Sequence, residues 1–479
     1  MNLKSKTISG VSWNALGNVI RQIVTVLTLI FMARILSPDD YGVYAILMIF
    51  VSFMAIFASM GLGQAIIYKD SPSQSFLSSI FYFNLGLNSI LSILLFLLAS
   101  LIASFFDKDG LEELVELISI IFIISSLSLI NKTMLEKQMK FKLVVIVEII
   151  ALLASALIGL VSAYQQFGVY SLVIMAITNA FVLSTGFLIV YKWLPSLSFS
   201  FSHIQTILSY SANLTGFTFI NYFSRQSDQF LIGKFLGSTS LGIYSMAYKI
   251  MLYPLQNISH VIIRVLFPAF SEIKNDHEKF REGYLKAISF IALITFPLMA
   301  GLLVTAESFV SLVLGPQWQE MAILLMVLAP VGMVQSITTT TGSIYMAKGT
   351  TGAMFRIGLA NAVVTVSAFA IGVFFGLVGI VLAYAIANLI MLIPNFYYPW
   401  KQIKLSVIEG LLRLFPFFIT SMLMAAFVYL VGIYVNHLEF SIFIGFILQV
   451  ILGAVFYLVS LYLFYRKILL HLLYQFKRV

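Results

Sequence analysis

Thr218, Asn221, Arg225 and Asp228 stand three, four and three residues apart inside the otherwise apolar stretch from Ser209 to Gly237. Such a stretch can cross a bilayer as one helix, at about 20 residues per crossing, and the spacing puts all four side chains on one helix face. A charge at mid-membrane costs about 2.5–3.5 kcal/mol on insertion scales, so the stripe is expected to face water or a partner. Asp228 lies one turn from Arg225, which favours its ionised form. It is the candidate for coupling an ion to any movement of solute.

A second stripe follows at the same spacing: Ser245, Lys249, Tyr253, Gln256, His260 and Arg264. Within apolar segments Arg21, Arg225, Lys249 and Arg264 face only Asp228 and Glu148. Buried cations in excess of acids suit a water-filled cavity that awaits an anion. The alternative is structural: Arg225 and Asp228 neutralise each other, and Arg264 snorkels to the interface. Thr338–Thr341 would line a cavity or, with hydroxyls bonded back to the backbone, serve close helix packing. The five histidines are scattered and form no metal-ligand spacing. There is no cysteine and no phosphate-binding Gly-x-x-x-x-Gly-Lys-Ser/Thr loop. No metal, cofactor or catalytic residue is expected.

The elements that must position these side chains are membrane helices. Hydrophobic residues make up 61% of the 479 and charged residues 10%, against about 25% charged in soluble domains. The chain is expected to be an all-α, polytopic membrane protein of about 14 transmembrane helices. Expected cores run over 12–35, 41–67, 77–106, 113–131, 143–163, 168–191, 209–236, 241–270, 287–314, 321–346, 354–375, 377–399, 409–434 and 440–465. The net charge of +9 is spread over short loops, which does not fit a nucleic-acid surface. Lysine and arginine fall mostly on every second connection, which places both termini in the cytoplasm. The charged segment Ser271–Lys286, with Phe280 and Tyr284 four apart, is expected to be a short interfacial helix.

The chain also repeats. Arg34-Ile-Leu-Ser-Pro-Asp-Asp-Tyr-Gly42-Val-Tyr44 aligns with Lys234-Phe-Leu-Gly-Ser-Thr-Ser-Leu-Gly242-Ile-Tyr244 at an offset of 200 residues. Carried backwards, the offset sets Asn18, Arg21, Thr25 and Thr28 against Thr218, Asn221, Arg225 and Asp228. Arg21 and Arg225 then lie about one helical turn apart in depth. The expected organisation is an N-terminal six-helix lobe over 1–195, a cytoplasmic linker over 196–208, a C-terminal six-helix lobe over 209–400, and two additional helices with a tail over 401–479. Parallel repeats of this kind occur in transporters whose substrate site lies between the repeats.

These blocks resemble the polysaccharide flippases of the multidrug/oligosaccharidyl-lipid/polysaccharide exporter superfamily. The resemblance runs through Ala33–Tyr44, Gly61-Leu-Gly63-Gln-Ala65, Asp228–Gly237, Leu241–Lys249 and Arg264-Val-Leu-Phe267-Pro268-Ala-Phe-Ser271. The last block is similar to the branch of colanic-acid and teichuronic-acid exporters. The resemblance implies twelve core helices in two lobes, often with two more. It also implies transfer of an undecaprenyl-diphosphate-linked oligosaccharide between leaflets of a bacterial cell membrane. It fixes no site residue. On the residues themselves, Arg21, Arg225, Lys249 and Arg264 are the candidates for a diphosphate. Asn18, Thr25, Thr218, Asn221 and Gln256 are the candidates for the polar lining, bonding sugar hydroxyls. A lipid-linked oligosaccharide and membrane lipid are the expected partners, with a polysaccharide polymerase complex beside them. The alternatives are a lipid II or multidrug exporter on the same fold, or a membrane enzyme of envelope synthesis.

Overall fold

The structure is a computed structural model that describes residues 3–205, 222, 226–259, 262–263 and 270–476. Among these residues all regular secondary structure is helical. Among the described residues ten helical stretches are long and apolar enough to cross a membrane, or eleven if a bent pair counts as one span. One of the ten, Thr351–Gln402, contains two helices that pack on each other across a tight turn. The count of fourteen is not reached among the described residues, and the expected seventh span lies largely outside them. By internal contacts the chain divides into two units, Met1–Gly242 and Ile243–Val479.

In the first unit α1 (Leu3–Ile35) ends one turn before α2 (Pro38–Ser59). The turn is written in Ser37-Pro38-Asp39-Asp40. The Ser37 hydroxyl accepts from the Asp40 N–H at 3.2 Å, and the Asp40 carboxylate accepts from the Ser37 N–H at 2.9 Å. This is a capping box, with proline at the first helical position, where its missing N–H costs nothing. After α2 come α3 (Leu62–Tyr68), α4 (Gln74–Leu97), α5 (Ala99–Phe106), α6 (Leu111–Ser119), α7 (Ile121–Ser126) and α8 (Leu129–Lys137). The α6–α7 stretch meets α8 at a bend of 43°. Serine hydroxyls take ladder carbonyls at that bend: Ser184 donates to the Ile124 carbonyl at 2.6 Å and Ser126 to that of Ile123 at 2.7 Å.

The core of this unit is α9 (Phe141–Tyr164), flanked by α1 and by α10 (Tyr170–Val190). Small buried residues on α9, among them Ala151, Ser155, Ala156, Gly159 and Ala163, let neighbouring backbones come close. After α10 the chain is strapped back onto α4 and α8. Asn131 donates to the Tyr191 carbonyl at 2.6 Å, Trp193 donates to Gln74 at 2.6 Å, and the Ser196 and Ser200 N–H groups donate to the hydroxyls of Ser78 and Ser79.

The division between the units falls inside α11 (Gly237–Pro254), which continues as a π-helical turn over Leu255–Ser259. In the second unit α12 runs unbroken from His277 to Phe309, capped by Asp276. Of the separate interfacial helix expected over 271–286, residues 277–286 are therefore the first part of a long helix instead, and 273–276 form the turn and cap before it. The reason is burial. Phe280 and Tyr284 are fully enclosed, and the Tyr284 hydroxyl lies 2.7 Å from Thr340 Oγ1 and 3.2 Å from the Trp400 N–H that donates to it. The remaining elements are α13 (Met321–Thr338), α14 (Thr341–Lys348), α15 (Thr351–Gly372), α16 (Gly376–Ile390), α17 (Leu392–Gln402), α18 (Val407–His437) and α19 (Ile442–Phe476). Helices α13 and α18 pack along α12, and α19 lies against α18 and α12.

Candidate functional site

Helices α1 and α9 run in the same direction along a seam of matched pairs. The Lys142 ammonium sits 5.1 Å from the Trp13 ring centre. Gly17 lies so close to Val145 that an added Cβ would press on its methyl groups. Glycine is what that approach requires, and it brings the next turn of each helix within reach. There the Arg21 guanidinium donates from Nη1 to the Glu148 carboxylate and from Nη2 to Asn18 Oδ1, the latter at 2.5 Å. The other Glu148 oxygen accepts from Lys132 Nζ at 3.2 Å, and Lys132 stands 4.0 Å from Glu136 one turn along α8. Two cations and two carboxylates thus alternate in one chain of contacts, with no net charge. Arg21 and Glu148 keep about a quarter of their side chains exposed, and Lys132 42%. The cluster is half-buried yet reachable.

At the far end of α1, Asp39 is a second hub. It accepts from Lys108 at 2.9 Å, from Thr239 at 3.1 Å and from Ser238. The starts of α2 and α11 cross here at backbone contact. A Cβ on Gly42 would overlap the Ser238 carbonyl, and one on Gly242 would overlap the Pro38 carbonyl. Under the offset of 200, Pro38 corresponds to Ser238 and Gly42 to Gly242. The two contacts are one contact seen from both sides, as at a two-fold axis. The positions aligned at that offset, 38 with 238 and 42 with 242, thus meet reciprocally in space.

In the second unit Lys249 stands exposed on α11, and Gln256 is exposed in the π-helical turn. No carboxylate among the described residues lies within ion-pair distance of Lys249. Beside Lys249, the Tyr248 hydroxyl lies 3.2 Å from that of Tyr384, which also accepts from the Gln335 amide. Gln335 donates on to Asn388 at 3.3 Å. This amide and phenol cluster on α11, α13 and α16 carries no charge, so sequence reasoning built on cations passed over it. Gln335 and Asn388 inside apolar spans were the available signal.

The sequence-derived candidates separate as follows. Asn18 and Arg21 come together with Glu148 and Lys132. Thr25 is exposed on α1, one turn beyond Arg21, whereas Thr28 is buried. Asp228 is buried and accepts from the Gln229 N–H at 2.7 Å. Thr218, Asn221, Arg225, His260 and Arg264 lie outside the described residues. Thr339, Thr340 and Thr341 each donate back to a backbone carbonyl of their own turn, the packing alternative for that tract. Among the described residues no three histidine or acidic side chains converge as a metal site would need. Between the last two helices lies an apolar cavity of about 380 Å³, lined by Leu430, Tyr434, Leu438, Phe440, Leu448 and Leu452 among others.

An all-helical chain with this many spans and with charge pairs set inside them has the architecture of a membrane transporter. The solved structure "Lipid II flippase MurJ, inward closed conformation" shares its fold, with a TM-score of 0.74 at 18% identity over 95% of this chain and 99% of that one. Residues 31–323 match the family described as "Polysaccharide biosynthesis protein", and the chain belongs to that family. Among curated relatives, "Lipopolysaccharide biosynthesis protein WzxC" of Escherichia coli (strain K12) is 27% identical over 84% of this chain and 82% of its own length. "Teichuronic acid biosynthesis protein TuaB" of Bacillus subtilis (strain 168) is 27% identical over 73% and 72%. The resemblance drawn from the motif blocks holds.

Proposed function

We propose that this protein carries an undecaprenyl-diphosphate-linked oligosaccharide from the cytoplasmic to the outer leaflet of the cell membrane, for a surface polysaccharide. It is a multi-pass transporter, not an enzyme. The single observation that carries the reading is family membership through residues 31–323, whose relatives are named for lipopolysaccharide and teichuronic acid biosynthesis. The fold of a flippase supports it. So does a half-buried arginine inside a span, since a guanidinium matches phosphate oxygens two at a time.

In this reading the lobes 1–195 and 209–400 alternate access, and both termini face the cytoplasm. Arg21, Arg225, Lys249 and Arg264 hold the diphosphate in turn, and Asn18, Thr25, Thr218, Asn221 and Gln256 bond sugar hydroxyls. Gln335, Tyr384 and Asn388 extend that polar lining. Asp228 serves ion coupling. The prenyl tail stays in lipid against α18 and α19, whose apolar cavity suits it. The membrane potential contributes, because each negative charge moved outward gains about 2.3 kcal/mol per 100 mV. A polymerase complex receives the product.

The test is the lipid pool of a deletion strain. Deletion is expected to accumulate one lipid-linked oligosaccharide, identified by mass, on the cytoplasmic leaflet, and the wild-type gene to clear it. An unchanged lipid pool together with unchanged surface polysaccharide defeats the proposal. Rescue of a strain depleted of its lipid II flippase would reassign the substrate.

A further inference from the structure

We propose that Arg21 and Lys132 form a phosphate-binding site on the first unit, and that Glu148 fills it as a built-in carboxylate until a diphosphate displaces it. This rests on the function proposed above and adds to it a residue, Lys132, and a mechanism of entry.

Three observations carry it. The first is the bridge. Glu148 gives one oxygen to Arg21 and the other, at 3.2 Å, to Lys132. A carboxylate shared between two cations from different helices occupies the place a phosphate would take with its larger number of oxygens. The second is the fixed scaffold. Trp13 against Lys142 and Gly17 against Val145 set the register of α1 on α9 about two turns and one turn before the bridge. The exchange then needs only side-chain rotation, not helix movement. Asn18 holds the guanidinium by its second edge at 2.5 Å, so the fork stays aimed when Glu148 leaves. The third is the charge balance. Arg21, Lys132, Glu148 and Glu136 sum to zero, so the empty site has no unpaid charge in the membrane. A diphosphate brings more negative charge than the carboxylate it displaces. The remaining exposure of Arg21, Lys132 and Glu148 leaves the cluster open to an entering ligand.

The same four residues would also serve as a plain structural tie between α1, α8 and α9, and the two roles predict opposite effects of neutralising Glu148. The experiment is binding of inorganic diphosphate to the purified full-length protein in lipid nanodiscs, followed by isothermal titration, with thermal unfolding measured on each variant. Glu148→Gln removes the competitor and is expected to tighten diphosphate by about fivefold, the weight of one partly exposed ion pair. Arg21→Gln and Lys132→Gln are each expected to weaken it by at least as much, and the exposed loop change Lys140→Gln to leave it unaltered. If Glu148→Gln leaves diphosphate affinity unchanged or weakens it, the proposal is overturned, whatever happens to the melting temperature. Should Glu148→Gln fail to fold, Glu148→Asp, too short to bridge both cations, is read by the same criterion.

The lipid pool of the deletion strain separates this proposal from the function it rests on. Clearance of a lipid-linked oligosaccharide by the wild type, with no tightening in Glu148→Gln, overturns the site and keeps the function. Tightening in Glu148→Gln, with an unchanged lipid pool on deletion, supports the site and removes the assigned substrate.

Discussion

Arg21 shows how much and how little one residue discloses. Its place in an apolar run marks it as a membrane cation, but its partner is 127 residues away, and the sequence offers Glu148 only as one of two acids within apolar segments. Arg21→Ala removes the guanidinium and leaves Glu148 with Lys132 alone. Surface polysaccharide is expected to fall sharply at equal protein level, measured by extraction and immunoblot, and an unchanged amount would remove Arg21 from the site. Gly42 poses a different question, because its neighbour is a backbone oxygen that cannot rotate away. Gly42→Ala is expected to force α2 and α11 apart, at a cost of about 1–3 kcal/mol or more. Ser238→Ala removes one hydrogen bond to Asp39 and keeps the crossing, at about 1 kcal/mol. Thermal unfolding in detergent checks the order of the two.

At the scale of elements, caps were legible and continuity was not. Ser37-Pro38-Asp39-Asp40 reads directly as a helix start, since the capping box depends on residues three apart. Ser37→Ala is expected to fray the first turn of α2 and cost about 1 kcal/mol, seen as faster amide exchange over residues 39–42. Residues 271–286 read as a short interfacial helix because their charges are local information. The burial of Phe280 and Tyr284 against Thr340 and Trp400 joins them to the span that follows, and those partners lie 56 or more residues away. The Asp276 carboxylate caps this helix. The backbone N–H of Lys279, then its ammonium, hold the carboxyl below its ordinary value of 3.8. A lowered folded-state pKa stabilises above the unfolded value and is lost as pH falls through the folded one. Amide protection over 277–280, measured against the intrinsic exchange rate at each pH, is therefore expected to be flat from neutral pH down to about 5 and to fall only below the ordinary aspartate range. Asp276→Asn should flatten the profile.

For the whole molecule, the repeat is the organising fact. Reciprocal contacts of Gly42 with Ser238 and of Gly242 with Pro38 restate the 200-residue offset in space. The same offset joins Asp39 to Thr239. The aligned blocks meet through backbone at Gly42 and Gly242, and the polar residues that accompany them differ. The first unit holds an arginine neutralised by a nearby carboxylate, and the second holds an exposed Lys249 and, separately, a neutral cluster of tyrosine, glutamine and asparagine. Tyr384→Phe removes the hydroxyl that Gln335 and Tyr248 share. It is expected to slow clearance of the lipid-linked intermediate in the deletion strain without lowering protein level, and a rate equal to wild type would place the cluster outside the transport path.

The sequence by itself determined the all-α, polytopic membrane class and the family resemblance, and it carries the capping motif Ser37-Pro38-Asp39-Asp40 and the block that recurs at an offset of 200 residues. Each of these is written in the order of residues along the chain: apolar length, spacing on a helix face, capping motifs, a recurring block. Only the tertiary structure decided which charges are paired. Glu148 meets Arg21 because Gly17 lets α1 close on Val145 of α9, and Lys132 joins them because α8 bends back beside α9. Hydropathy and spacing hold no measure of how near two distant helices lie. That distance turns a lone membrane cation into one member of a neutral cluster with Glu148, Lys132 and Glu136.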